Sequence, residues 1–264
     1  MSNEKSNIES IDDAALQRYS RQTAFEKLGI GNQLKLFNSC AVVIGLGALG
    51  SVIANNLCRA GVGKLRLIDR DYVDISNLPR QLLFDEDDAG AKRPKAEAAY
   101  NHLSRINSKT VLEPMIVHAD ASNIDSLIQG ADLVLDGSDN MEVRFVINEA
   151  CFRRRIPWVF GGVLGSGGNS MTIIPGAGPC LRCLMPDIPP PGTFPTCAEA
   201  GVLNMVTGMI ASLESAEAIK ILTGSPDINR RIFVLDVWNN TAEYLDLSAN
   251  PDCPVCGRGG ARDA

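Results

Sequence analysis

The segment GLGALG at residues 45–50 follows an apolar stretch and precedes Asp69 by nineteen residues counted from Gly50, and no other feature constrains the fold as tightly. It reads as strand, tight turn and helix, the opening of a βαβ unit. Gly45 permits the sharp turn, Gly47 lets backbone come close to a phosphate, and Gly50 lets the helix lie against the strand. The amino end of that helix then faces negative charge. Asp69 closes the strand LRLI at 65–68, where an acid can bond a ribose hydroxyl. Glycines also punctuate ordinary βα turns, so the motif counts because strand, helix and spaced acid occur in the required order.

The alternation of strands and helices continues beyond Asp69. A polar connection over 69–88 is too long for a simple turn. A helix with Pro94 in its first turn runs to about 106, strands follow near 111–117 and 131–136 with a short helix at 123–129 between them, and a helix over 141–154 leads to a strand at 156–160. After Gly161 come a glycine-rich turn, a strand near 170–174, a proline-rich loop over 186–195 and a long apolar helix near 202–222. Two strands near 232–237 and 242–247 form an antiparallel edge. The expected fold is α/β: a Rossmann-like, doubly wound, mainly parallel sheet with an N-terminal helical segment and a C-terminal antiparallel extension clipped by zinc. Residues 1–9 read as a disordered lead and 10–39 as the helical segment, opened by a capping box at 10–13. Residues 40–174 form the nucleotide-binding core, and 175–264 the crossover loop, long helix, antiparallel strands and metal-bound end of one integrated domain.

With 45% hydrophobic and 21% charged residues, the 264-residue chain is composed like an ordinary globular enzyme. Nothing approaches the roughly 18 consecutive apolar residues of a membrane-spanning helix. The polar start is unlike a secretory signal, so the expected location is the cytoplasm and no membrane partner is expected. A net charge of −6 argues against nucleic acid as a partner. The run RRR at 153–155 reads as a solvated helix end.

In such a compartment eight cysteines favour free thiols and metal over disulfides. Cys180 with Cys183, and Cys253 with Cys256, each have the spacing that supplies half of a tetrahedral zinc site. Disulfides are disfavoured by compartment, and a thioredoxin-like redox motif is poorly matched by two separate pairs. Four thiolates would close the site and fasten the chain end back to the body.

Asn77 and Arg80 emerge at the carboxyl edge of the sheet, within reach of phosphates. Lys95 begins a helix, where a cation opposes the macrodipole unless an anion sits there; a solvated surface lysine is the alternative. Asp139 follows a strand at the same edge, placed either to hold magnesium on phosphate oxygens or to cap the next helix. Cys197 stands before a helix as an activated thiolate or a passive loop thiol. His102 and His118 fit no catalytic arrangement. So many cations exceed what a dinucleotide needs and suit a triphosphate undergoing displacement. An NAD-dependent oxidoreductase would account for the glycine loop and Asp69, yet leaves Arg21, Arg80, Lys95 and Asp139 without a role.

Taken in order, RYSRQ at 18–22, GLGALG, Asp69 and Asp71, NLPRQ at 77–81, Pro94 with Lys95, SDN at 138–140, both cysteine pairs and TCAEAGV at 196–202 resemble the MoeB/ThiF/HesA family, relatives of ubiquitin-activating enzymes, over residues 14–257. The resemblance implies ATP-dependent adenylation of the C-terminal glycine of a small ubiquitin-fold sulfur carrier protein ending in Gly-Gly. It implies ATP, magnesium and zinc as cofactors, with Gly45, Gly47, Ala48 and Gly50 cradling phosphate, Asp69 on the ribose, Asn77, Arg80 and Lys95 on phosphates, and Asp139 on magnesium. Ala48 stands where many relatives have glycine. Arg21 would reach ATP from a partner subunit, so a homodimer is implied, and Cys197 matches a position where some relatives form a thioester or persulfide. Divergent relatives activate a peptide carboxylate or a tRNA base instead.

Overall fold

The computed structural model describes residues 13–257 except 191, 194 and 196. The expected disordered lead and most of the capping box at 10–13 lie outside these residues. Two helices come first, α1 (Asp13–Thr23) and α2 (Gly29–Phe37), then strand β1 (Cys40–Ile44), helix α3 (Ala48–Ala60) and β2 (Lys64–Ile68). A long connection containing a 3₁₀ turn at Ile75–Asn77 leads to α4 (Glu86–Gly90) and α5 (Lys95–Ile106). The sheet resumes with β3 (Val111–Met115), and after α6 (Ile124–Leu127) come β4 (Leu133–Asp136), α7 (Met141–Arg154), β5 (Trp158–Leu164) and β6 (Gly167–Ile173). The remainder holds α8 (Leu181–Leu184), α9 (Cys197–Ala200), the twenty-residue α10 (Asn204–Thr223), and the hairpin β7 (Ile232–Asp236) and β8 (Thr241–Leu245).

All eight strands join one sheet in the order β3-β2-β1-β4-β5-β6-β7-β8. The first five in that order run parallel and the rest antiparallel. The chain winds outward from β1 in one direction through β2 and β3, then restarts on its other side with β4. That reversal opens a crevice beyond the carboxyl ends of β1 and β4, where such sheets take ligands. Pro114 is tolerated because β3 is an edge strand.

Because side chains alternate along a strand, the buried sheet supplies two cores. Ala41 and Val43 of β1, with Leu65, Leu67, Leu133 and Leu135, face a cluster that includes Leu57 of α3, Leu103 of α5 and Ile210 of α10. Val42 and Ile44 turn the other way, onto Val134, Phe145 of α7 and Trp158. At roughly 1.5–3 kcal/mol for each fully buried large side chain, these two layers dominate the stability of the molecule.

Two boundaries differ from expectation. Pro94 is the N-cap residue of α5, not part of its first turn, since Lys95 begins the helix and Tyr72 bridges to Pro94. β5 runs past the expected end at 160 to Leu164 and pairs with β6 along its whole length, so the glycine-rich turn expected after Gly161 falls at Gly165 and Ser166. Gly161 is instead a point of close approach, because a Cβ there would lie 2.3 Å from Glu214 Oε1 on α10.

Candidate active site

The glycine loop fills the crevice between β1 and β4. Gly45 has a φ of +86° and abuts Gly137 at the end of β4, where a Cβ on Gly45 would lie 2.6 Å from the Gly137 carbonyl carbon. A Cβ on Gly50 would sit 1.8 Å from the Gly45 oxygen, so the first and third glycines are demanded by the chain itself. Gly47 is different. Its Cβ would meet nothing closer than 3.7 Å, which leaves the space over the loop and the first turn of α3 to a ligand.

Asp69 stands beside this loop, nearly buried. Its carboxylate accepts from the backbone N–H of Leu46 at 2.7 Å and of Asp71 at 2.8 Å. Burial pushes the Asp69 carboxyl above its usual range, and the Lys95 ammonium and both N–H donors oppose that rise. With about four acceptor positions on a carboxylate, two remain for hydroxyl donors.

Lys95 is only 7% exposed, which excludes the solvated-lysine reading. The anion its helix position requires is supplied in part by Asp71, whose Oδ2 lies 3.4 Å from the ammonium and whose carbonyl accepts from the Lys95 N–H at 2.8 Å. Asn77 accepts from the Asp74 N–H at 3.2 Å and so completes the cap of the 3₁₀ turn. Arg80 donates to the Ser76 carbonyl at 2.8 Å. Beyond it a cleft of about 590 Å³ is lined by Ser76, Pro79, Arg80, Cys197, Gly201 and Asn204 among others. The fold thus brings Arg80 and Cys197, far apart in sequence, to one cavity. The Cys197 segment is held there by Gly165, whose N–H donates to the Gly201 carbonyl at 2.9 Å while its carbonyl accepts from Leu203 at 2.8 Å.

Asp139 does not cap α7. Asn140 does, accepting from the Glu142 N–H at 2.8 Å and the Val143 N–H at 3.4 Å. Asp139 is left exposed and makes no hydrogen bond among the described residues, free for a cation. Arg21 is likewise exposed on α1, while neighbouring Arg18 and Tyr19 anchor that helix to Ile106 and Asn107 at the end of α5.

The four paired cysteines converge. Their sulfurs lie within 4.8 Å of one another, with Cys180 to Cys253 at 3.6 Å and Cys183 to Cys256 at 3.2 Å. Tetrahedral Zn–S bonds of about 2.3 Å would set the sulfurs about 3.8 Å apart, so the donor set fits zinc. Burial and the neighbouring sulfurs push the Cys180 thiol up, a penalty that a divalent cation would remove. The Asn250 N–H donates to Cys183 Sγ at 3.4 Å, as outer partners of metal thiolates do.

The model of the ThiF family matches residues 19–255. The chain belongs to the ThiF family. Among relatives of this ThiF-family chain is the SAMP-activating enzyme E1 of Haloferax volcanii, 38% identical over 252 residues that cover 95% of this chain and 92% of that one. The sulfur carrier protein ThiS adenylyltransferase of Bacillus subtilis is 40% identical over 91% of this chain and 71% of its own. The sulfur carrier protein adenylyltransferase of Thermus thermophilus is 36% identical over 92% and 91%. The crystal structure of E. coli MccB with ATP shares the fold, with a TM-score of 0.79 at 24% identity over 91% of this chain and 74% of MccB.

The ThiF-family site also holds residues that motif reasoning passed over. Asp136, fully buried, accepts from Arg144 Nε at 2.8 Å and from the N–H and hydroxyl of Ser138 at 2.9 and 2.6 Å. Arg144 also donates to the Ser138 and Gly161 carbonyls, each at 2.8 Å, and so holds the turn that presents Asp139. Glu214 of α10 is sealed nearby with neither carboxyl oxygen bonded, and burial first, then the Asp136 charge, push its carboxyl well up. A signal existed: Glu214 falls on the stripe Val206, Ile210, Glu214, Ala218, a charge at core spacing in an apolar helix. His102 is a packed histidine, 2.6 Å from Asp88. Arg153 and Arg154 pair with Asp125 at an exposed helix end.

Proposed function

We propose that this chain is an ATP-dependent adenylyltransferase that activates the C-terminal glycine carboxylate of a small ubiquitin-fold sulfur carrier ending in Gly-Gly, as an acyl adenylate with release of pyrophosphate. The observation that carries this reading is identity of 36–40% along nearly the whole chain with two enzymes named as sulfur carrier protein adenylyltransferases. The chemistry suits the residues present. A terminal carboxylate is ionised at neutral pH and needs no general base. Its oxygen forms a bond to the α-phosphorus while the bond from that phosphorus to the bridging oxygen breaks, and the electron pair leaves with pyrophosphate. What the protein must supply is position and countercharge.

In this reading the amides around Gly45, Gly47, Ala48 and Gly50 cradle phosphate and Asp69 takes the ribose. Asn77, Arg80 and Lys95 meet the phosphates, and Asp139 holds magnesium, which supplies charge neutralisation on phosphate oxygens when bound. Arg21 of a second copy of this chain completes the site. Exposed Met205 and Met209, 60% and 48% accessible on the first turns of α10, support a homodimer that covers them. The four cysteines hold structural zinc with no open position, in a cytoplasm that keeps thiols reduced. Cys197, which lines the same cleft as Arg80, would be the thiol that joins the carrier as a thioester or persulfide. Among the described residues no helix is long and apolar enough to cross a membrane.

The test is carrier-dependent exchange of labelled pyrophosphate into ATP. Exchange should appear with a Gly-Gly-ended carrier and fall about 100-fold or more in Asp139→Ala, the scale at which lost charge stabilisation is felt. Undiminished exchange in that variant removes Asp139 from the metal site, and none with any such carrier removes the activity.

A further inference from the structure

We infer that Glu214 is a positioning residue for Asp139, acting through Arg144: protonated, its carboxyl leaves the guanidinium to the turn that presents Asp139, and ionised, it competes for that guanidinium and slackens the turn. The inference rests on the reading of Asp139 as the magnesium ligand of an adenylyltransferase.

The link is a short chain of contacts. Glu214 lies against the Gly161 peptide, where a Cβ would sit 2.3 and 2.7 Å from the two carboxyl oxygens. The Gly161 carbonyl accepts from Arg144 Nη2 at 2.8 Å, and the same nitrogen donates to the carbonyl of Ser138, the residue before Asp139. Glu214 thus bears on the peptide that anchors the guanidinium, and the guanidinium anchors the turn.

Charge makes this contact sensitive to protonation. Arg144 Nε already meets Asp136 at 2.8 Å, and neither Glu214 oxygen has a hydrogen-bond partner or a path to water. The other elements packed on α10 offer no further cation. β5 and β6 carry no titratable side chain. On α3 the Cys58 thiol donates to the Leu103 carbonyl and Arg59 is exposed in the last turn, while Lys35 of α2 is held by the Thr223 carbonyl at the far end of α10. Glu217, on α10 itself, pairs with Lys220. Among the described residues Arg144 is therefore the one cation that both buried carboxyls face. Ionisation of Glu214 sets a second negative charge beside Asp136, and both then need one guanidinium. Because Nη2 carries both carbonyl bonds, a guanidinium that turns toward Glu214 gives them up. Burial, then the Asp136 charge, hold the Glu214 carboxyl well above its ordinary range against the pull of Arg144, so the loss belongs to rising pH.

The test follows carrier-dependent exchange of labelled pyrophosphate into ATP from about pH 6 to 10, with magnesium titrated at each pH. Above the Glu214 pKa, wild-type exchange at limiting magnesium should fall about 10-fold for each pH unit, as loss of one essential proton does, and excess magnesium should restore part of it. Glu214→Gln cannot ionise and should stay level over that interval relative to its own neutral value. Asp136→Asn removes a charge that raises Glu214, so its fall should begin at lower pH than that of wild type. Superimposable profiles for wild type and Glu214→Gln overturn the inference. So does a wild-type fall that coincides with unfolding followed by circular dichroism, because Glu214 then acts on the fold alone. Undiminished exchange in Asp139→Ala sinks it together with the metal assignment. A wild type that exchanges no pyrophosphate with any Gly-Gly-ended carrier sinks the activity alone; magnesium-dependent ATP binding by the same three proteins across pH then decides Glu214, and superimposable binding curves overturn it.

Discussion

Asp136 and Glu214 place two fully buried carboxyls beside the mostly buried side chain of Arg144. One carboxylate can pair with the arginine. The geometry assigns that partner to Asp136, through the 2.8 Å bond, and a second buried charge without hydrogen bonds would be far too costly. Glu214 therefore keeps its proton. Its folded pKa is raised above the ordinary 4.5, so the stability it contributes is complete below 4.5 and is lost as pH climbs through the folded value. Glu214→Gln should match wild type near pH 4 and grow more stable than it as pH rises, by up to about 1.4 kcal/mol for each pH unit over that range. Parallel stability curves for the two proteins, measured by denaturant unfolding from pH 4 to 9, would show that Glu214 titrates normally. Spacing marks Glu214 as a charge on a core stripe but not its neighbours, since Asp136 reads only as the last residue of a strand; what couples them is a contact across 78 positions.

At the scale of elements, the βαβ unit around α3 shows that the three glycines of one motif answer to different constraints. Gly50→Ala drives a Cβ into the Gly45 carbonyl at 1.8 Å, backbone against backbone, and neither can yield cheaply. A loss of about 3 kcal/mol is expected, a fall of roughly 6–12 °C in melting temperature. Gly47→Ala should keep nearly the wild-type melting temperature and lose ATP affinity, because its Cβ enters only the ligand's space. Equal thermal loss in both variants, read by calorimetry, would refute the division. The element boundaries were legible where a local signal set them, as at Met141, where Asn140 caps α7. They were not where a distant element did: β5 extends through Gly161, where α10 presses on it, to Leu164, and Pro94 leaves α5 because Tyr72 pairs with it.

Over the whole molecule, the cysteine cluster joins the chain end to the core on the α7 side, since Cys180, Cys253 and Cys256 pack with Phe145, Trp158 and Ile173. The glycine loop leads into α3, which belongs to the opposite layer. Metal removal should therefore loosen one face without emptying the other. Protein purified under reducing conditions should carry about one zinc per chain, and a strong chelator should lower its melting temperature by roughly 6 °C or more while ATP affinity measured well below melting persists. Absence of metal by elemental analysis would refute the assignment. The sequence by itself determined the βαβ opening, the glycine loop, the parallel-then-antiparallel rhythm and the two cysteine pairs, because each is written in spacing along the chain, where periodicity and short motifs act locally. Only the tertiary structure decided that Lys95 is buried against Asp71, that Asn140 rather than Asp139 caps α7, that Cys197 shares a cleft with Arg80, and that Glu214 is sealed without a hydrogen-bond partner. Those facts depend on which surfaces the sheet order brings together, and burial is a property of the folded neighbourhood that no single stretch of chain carries.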